Sequence, residues 1–411
     1  MLKNYLKIKG KVRSAHVLAV LFLLFLFYVA WAGLSDMFIQ TGQAMQIRLS
    51  PQWFIRQTNE LYENMLSTGS QYSFLQNKGT YINLNGFMAN ALGQPESNEH
   101  IKLKNGHLAG IRSDPPAPEE IHSAAENIIH FYQDHTANGG DFLFVLVSGQ
   151  VSKYEDLLPV GYTDTAHNTA DVFLGDLIEA GVPYLDLREE MENDGISVTD
   201  AYFVTDHHWK PQTGFWAYGK ILDKLTQMEV IEPVDPFYTD PDNFTFETYE
   251  NTFLGSSGKR TGIYYAGLDD SILIKPNFET DISIDVPFRN LKLSGRYEDV
   301  AYNTDVHHNY EDPDFYQENV YGLYGWGDMD MTHWRNEHAA DQSNFLLIGE
   351  SYGNIPFSLM SLCLGRCDEM DLRYYKDDFP AYYHSYQPDT VVLELSVGSL
   401  LTEFTSFGYL R

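Results

Sequence analysis

The stretch Phe142 to Gln150, read FLFVLVSGQ, opens with six consecutive apolar residues and stops at Ser148-Gly149. A short apolar run without polar alternation fits a strand buried on both faces, as in a parallel sheet covered by helices. Its flanks agree. Upstream, Glu119 to His135 places Ile121, Ala125, Ile128, Ile129 and Tyr132 along one side of a helix. Downstream, the pattern predicts a helix across 166–180 and a second strand from Val182 to Leu187 (VPYLDL). The theme returns at Phe345 to Ile348, in NFLLIGES, followed by a predicted helix from Ile355 to Leu364. Two further strands are predicted, Met370 to Tyr375 (MDLRYY) and Thr390 to Val397 (TVVLELSV). The alternation specifies an α/β fold with a parallel sheet covered on both faces.

Other regions read differently. Residues 71–118 suggest short strands in GTYINLNGFMANALG and HIKLKNGHLAGI, with a hairpin turn at Lys104-Asn105-Gly106 and a break at Pro115-Pro116-Ala117-Pro118. From about 231 to 338, Pro, Asp, Asn and aromatic residues dominate, predicting an antiparallel β-rich insertion without regular helices. At the amino terminus, residues 1–14 carry Lys3, Lys7, Lys9, Lys11 and Arg13 and no acid, and residues 15–34 are uncharged and apolar. A run of about 20 apolar residues is long enough to span a bilayer, and the basic flank would hold residues 1–14 in the cytoplasm. The alternative is a cleaved signal peptide, with Ala30-Trp31-Ala32 as the small-x-small site. Either reading exports the remainder, anchored in the first case and secreted in the second. Residues 35–70 then read as a helical linker, and 71–411 as the catalytic domain with its insertion.

The formal net charge of -30 argues against a nucleic-acid or anionic-membrane surface as partner, while leaving a neutral or cationic substrate or a polysaccharide compatible. The two cysteines, Cys363 and Cys367, are too few for a disulfide scaffold or a zinc finger, and read as buried thiols or a local bridge. The reading assigns no metal and no cofactor.

The polar residues that could do chemistry concentrate at YFVTDHHWKPQTG, residues 202–214. Pro211 suits the first turn of a helix, so Thr205 to Trp209 occupy the junction leading into it. An acid two positions before a histidine can accept a bond from its Nδ1–H, leaving Nε2 as a general base; here these are Asp206 and His208. Ser351 lies at the carboxyl end of the Phe345–Ile348 strand, between Gly349-Glu350 and Tyr352-Gly353, where ligands of parallel sheets bind. Gly349 and Gly353 permit a tight turn whose N–H groups can face an oxyanion. Each part also has a plain explanation: Asp206 or Ser351 as helix caps, His207 and His208 as satisfied polar residues. His307-His308, His333 and His338 read as loop histidines rather than metal ligands, and Trp326 and Trp334 offer a possible sugar-stacking wall.

The DHHW tetrad, its aromatic lead-in and the following G-x-W-A-Y helix resemble the signature of the DHHW protein family. That family is similar to the SGNH-type domains of alginate O-acetylation proteins of the AlgX and AlgJ kind. VLVSGQVSKYEDLLP, AGVPYLDLREEM, the FLGSSGKRTG turn, LLIGESYGN and MDLRYY extend the resemblance over roughly 140–411. It implies an SGNH-like three-layer α/β/α sandwich with Asp206 as orienting acid, His208 as base and Ser351 as nucleophile. His207 occupies a variable position, and Glu350 stands where the family usually has Asp. Gly149, Lys153, Tyr352, Gly353 and Arg373 fall in matching segments as candidate substrate or oxyanion residues; Lys153 also reads as a solvated lysine and Arg373 as a structural ion pair. The resemblance implies O-acyl transfer to a polysaccharide, or hydrolysis of such an ester, with a membrane-bound O-acyltransferase as partner. A non-catalytic carbohydrate-binding assembly protein is the rival. A metal-dependent phosphoesterase with an Asp-His-His motif would need further ordered aspartates that the sequence lacks.

Overall fold

The computed structural model describes residues 78–303, 306 and 314–401, together with residues 20, 22–24 and 27. Two compact units are distinguished, Met1–Ile82 and Asn83–Arg411. In the first, the described residues are helical. No helix among the described residues is long and apolar enough to cross a membrane. The expected span at 15–34 falls largely outside the described residues, as do the 35–70 linker and His307-His308.

The second unit is built around β1 (Asp141–Val147). It follows α1 (Pro118–Ala137) and leads to α2 (Ala166–Glu179), β2 (Tyr184–Asp186), α3 (Leu187–Asn193) and α4 (Pro211–Gln227). Next come β3 (Phe244–Phe253), α5 (Ser256–Thr261), β4 (Asp269–Pro276), β5 (Ile282–Val286), β6 (Leu291–Gly295) and β7 (Met331–Arg335). The chain closes with β8 (Asp341–Ile348), α6 (Asn354–Met360), β9 (Leu364–Met370), α7 (Phe379–Tyr386) and β10 (Thr390–Ser396).

Eight strands form one sheet in the order β2-β1-β10-β8-β9-β7-β5-β6. The first five are mutually parallel, and the last three continue the sheet antiparallel. The expected parallel sheet is therefore a mixed one, because strands of the 231–338 region join its edge. β3 and β4 form a separate two-stranded ribbon, and the short strands Glu96–Ser97, His100–Lys102 and Leu108–Ala109 form a small sheet of their own.

The alternation of side chains along β1 explains why both faces are covered. Phe142, Phe144 and Leu146 enter one core with Ile128 and Phe131 of α1 and Phe173 and Leu177 of α2. Leu143, Val145 and Val147 enter the other with Tyr218, Ile221 and Leu225 of α4 and Ile355 and Phe357 of α6. Each large apolar side chain withdrawn from water contributes about 1.5–3 kcal/mol before entropy is counted, so a strand buried on both faces anchors two layers at once.

Several expectations need correction. GTYINLNGFMANALG is helical over 78–91 rather than stranded. Gly86 and Ala89 are buried one turn apart, and a Cβ at Gly86 would meet the Thr261 carbonyl oxygen at 2.2 Å, so this helix packs through small residues that a hydrophobic pattern overlooks. In VPYLDL the strand stops at Asp186, whose side chain caps α3 by accepting from the Arg188 N–H. The helix after Ser351 ends at Met360, and the strand expected at Met370–Tyr375 lies earlier, at Leu364–Met370. Short helices also occur within 231–338, at Ser256–Thr261, Ile263–Ala266 and Tyr297–Val300. The hairpin around Lys104-Asn105-Gly106 is present, joining His100–Lys102 to Leu108–Ala109, and both cysteines are free thiols.

Candidate active site

Because β1, β8, β9 and β10 are parallel, the turns at Ser148–Gln150, Gly349–Gly353, Asp371–Arg373 and Ser396–Ser399 gather at one rim. The 202–209 loop reaches the same rim. Tyr202 and Trp209 pair antiparallel at its base, and the Lys210 N–H donates to the Ala201 carbonyl at 2.8 Å. Gln150 Nε2 donates to the carbonyls of Phe203 and Asp206 at 2.8 and 2.6 Å, tying the loop to the end of β1. On the other side, Asp269 accepts from the N–H groups of Val204 and Thr205 and from the Thr205 hydroxyl.

The loop presents His208 to Ser351. His208 Nε2 lies 2.6 Å from Ser351 Oγ, across 143 residues of chain, and His208 Nδ1 is hydrogen-bonded to Asp206 Oδ1. With Nδ1 protonated toward the carboxylate, Nε2 is the acceptor for the serine hydroxyl. Packing holds this register. The helices that follow the two residues, α4 and α6, meet where a Cβ on Gly214 would lie 2.7 Å from Ile355 Cγ2. The His208 ring is stacked on Tyr321 at 3.7 Å with an interplanar angle of 7°.

Asp206 is almost fully buried, and its second oxygen accepts from the Ser256 N–H at 2.6 Å. Burial works to raise its pKa, but the charges of His208 and His207, the His208 bond and the Ser256 N–H outweigh it and keep Asp206 ionised well below the ordinary range. Such a group can stabilise an imidazolium while fixing the tautomer.

The remaining candidates separate. Gly149, Tyr352 and Arg373 line a groove of about 480 Å³ beside Ser351, together with Arg112, His167 and His207. The Tyr352 hydroxyl donates to the His207 carbonyl at 2.6 Å, so this residue braces the loop. The Gly353 N–H closes the turn onto the Glu350 carbonyl at 2.8 Å. Arg373 makes a two-point ion pair with Asp371. Lys153 is paired with Asp171 of α2 at 2.8 Å and is not part of the groove lining. Glu350 uses its extra methylene to accept from the Ser396 N–H and the Ser399 hydroxyl, both at 2.6 Å, tying the Ser351 turn to the end of β10. Among the described residues, the N–H groups of Ser351 and Gly149 have no partner.

Trp326 and Trp334 do not form a sugar-stacking wall. Both are buried, with indole N–H groups donated to the Val300 carbonyl and to Glu369. His333 lies 2.8 Å from buried Asp368, and His338 is an exposed residue 3.5 Å from Asp281. Sequence reasoning missed Ser256, Asp269 and Tyr321. A larger cavity of about 900 Å³, lined in part by Glu232, Tyr238, Phe278 and Asp281, lies at the amino ends of β8 and β9. It contains none of these groups, and ligands of parallel sheets bind at the opposite, carboxyl ends.

Residues 111–236 match the family described as SGNH hydrolase-like domain, acetyltransferase AlgX, a span that includes Asp206 and His208. No curated protein matches. Among solved structures, Bacillus cereus PatB1 is 19% identical with a TM-score of 0.63, covering 75% of this chain and 99% of that one. Its sulfonyl adduct is 18% identical with a TM-score of 0.61, covering 75% and 97%. A DHHW family protein from Eubacterium siraeum DSM 15702 is 15% identical with a TM-score of 0.57, covering 77% and 97%. The resemblance expected from the tetrad and its neighbouring motifs is thus present, in the sequence match over 111–236 and in the fold over most of the described chain.

Proposed function

We propose that this protein is an exported serine-dependent O-acyltransferase that places acyl groups, acetyl foremost, on a cell-surface or secreted polysaccharide. The observation that carries the reading is the 2.6 Å approach of His208 Nε2 to Ser351 Oγ with Asp206 behind the imidazole. The family match over 111–236 supports acyl transfer as the reaction class. In the first half-reaction Ser351 Oγ attacks the donor's carbonyl carbon while His208 Nε2 takes the hydroxyl proton. The imidazolium, held by Asp206, returns that proton to the departing donor oxygen and leaves an acyl-serine. In the second half, a sugar hydroxyl gives its proton to His208 and attacks the ester, and Ser351 recovers its proton. The N–H groups of Ser351 and Gly149 are the oxyanion donors in this scheme. Water in place of the sugar gives an esterase with the same residues. A membrane-bound O-acyltransferase supplying the donor belongs to the same proposal, as does anchoring through residues 15–34.

The test is covalent. A fluorophosphonate probe should label Ser351, identified by sequencing the modified peptide, and Ser351→Ala should abolish both labelling and release of p-nitrophenol from its acetyl ester. An unlabelled serine, or a Ser351→Ala protein of undiminished activity, would refute the assignment. Offering oligosaccharides during turnover, and weighing them by mass spectrometry, separates transfer from hydrolysis.

A further inference from the structure

His207 takes no part in the proton path just described, yet it stands against both members of the acid–base pair. Its ring centroid is 3.9 Å from that of His208, and its Nδ1 lies 3.6 Å from Asp206 Oδ1. About half exposed, it lines the groove. One ligand atom from each of Asp206, His207 and His208 lies within 4.8 Å of the others, and among the described residues this is the one such group of three metal-binding side chains.

Two imidazole nitrogens and a carboxylate oxygen are a common ligand set for Zn²⁺, bound at about 2.0–2.2 Å in a tetrahedron that keeps one position for water. The edges of that tetrahedron are roughly 3.3–3.5 Å long. His207 Nδ1 and Asp206 Oδ1 already stand about one such edge apart. To take up the ion, His208 and Asp206 would part from hydrogen-bonding to ligand separation, and His207 Nδ1 would exchange its 3.0 Å contact with Ser256 Oγ for the metal. The groove reaches His207, and Asp206 and His208 are buried behind it.

We propose that Asp206, His207 and His208 form an inhibitory site for Zn²⁺. The inhibitory consequence rests on the acyl-transfer reading above; the binding itself does not. The chemistry follows from the tautomer. A metal on His208 Nδ1 displaces the proton held there, and the neutral ring then carries its one proton on Nε2, with no net proton change. Nε2 so protonated faces Ser351 as a donor and cannot accept the serine proton. Zn²⁺ also withdraws Asp206 from its role behind the ring. The metal-bound form is therefore inactive, and removal of the ion restores the base.

The experiment separates binding from turnover. Full-length Ser351→Ala protein, in which no catalysis is needed, is titrated with Zn²⁺ against a fluorescent chelator, beside Ser351→Ala/His207→Gln. One ion per chain is expected, with the second protein weaker by at least about tenfold, a loss that even residues behind a metal ligand produce. In the otherwise native chain, Zn²⁺ should suppress p-nitrophenyl acetate hydrolysis and a chelator restore it, while the rate of His207→Gln should be the same with and without Zn²⁺. Absence of binding, equal binding by both proteins, or faster hydrolysis with Zn²⁺ would each overturn the proposal. Binding that depends on His207 in a chain that never hydrolyses the ester would uphold the metal site and sink the acyl-transfer reading instead.

Discussion

Gly255 has an unremarkable backbone, with φ at -73°, so its missing side chain answers a matter of space. A Cβ there would lie 2.2 Å from Asp206 Cβ and 2.5 Å from Asp206 Oδ2. Gly255→Ala must shift Asp206 from its present seat behind His208. Displacing a positioned group by about 1 Å can cost about 10²-fold, and kcat for p-nitrophenyl acetate should fall by roughly that factor with little change in KM. A rate near that of the native protein would show that the carboxylate is dispensable. Asp206→Asn retains the shape but favours the wrong histidine tautomer, and the same change in a serine-protease triad costs about 10⁴-fold in kcat. At this scale the sequence was legible where chemistry is local: Asp206 and His208 are two residues apart, and Ser351 sits between glycines after an apolar strand. Ser256, with Gly255 beside it, meets Asp206 from 50 residues away, and nothing in their own neighbourhood announces it. FLGSSGKRTG stood out only as a matching segment, without a role.

Among the elements, β9 shows why pattern alone misplaced a strand. LGRCDEM carries Arg366, Asp368 and Glu369, a composition that reads as loop, and MDLRYY looked the better strand. The polar residues are tolerated because β7 supplies their partners. Asp368 Oδ1 lies 2.7 Å from Arg335 Nη1 and 2.8 Å from His333 Nδ1, and the Tyr382 hydroxyl donates to Oδ2. Burial works to raise the pKa of this carboxyl, but His333, Arg335 and Tyr382 more than offset it and hold it below the ordinary value. A depressed carboxylate contributes stability that is present above its unfolded pKa, near 4, and is lost as pH falls through the folded value. Asp368→Asn should therefore destabilise the protein by about 3 kcal/mol at pH 7, the scale of a buried pair broken from one side. Urea unfolding at pH 7 and near pH 3 checks this. The gap between variant and native protein should narrow in acid, and a gap of constant size would mean that the loss is one of packing alone.

For the molecule as a whole, the 231–338 region changes its meaning once its strands are placed. A β-rich insertion suggests an appendage, and the composition of this stretch gave no reason to think otherwise. In the fold, β7, β5 and β6 extend the main sheet past β9, covering an edge that would otherwise expose unpaired N–H and C=O groups. The same region delivers Asp269 and the Ser256 N–H to the 202–209 loop and Tyr321 to the face of His208. The His208–Ser351 pair is thus framed by two halves of the chain, and the insertion helps to build its surroundings. Tyr321 gives the sharpest test, because its ring meets the imidazole and the acetyl ester is too small to need a distant binding surface. Ring stacking of this kind is worth about 0.5–1.5 kcal/mol, so Tyr321→Leu should lower kcat for p-nitrophenyl acetate by roughly two- to tenfold. Labelling of Ser351 by the fluorophosphonate should slow in proportion. If the region served only to hold polysaccharide, Tyr321→Leu would raise KM for the polymer and leave both small-molecule rates untouched.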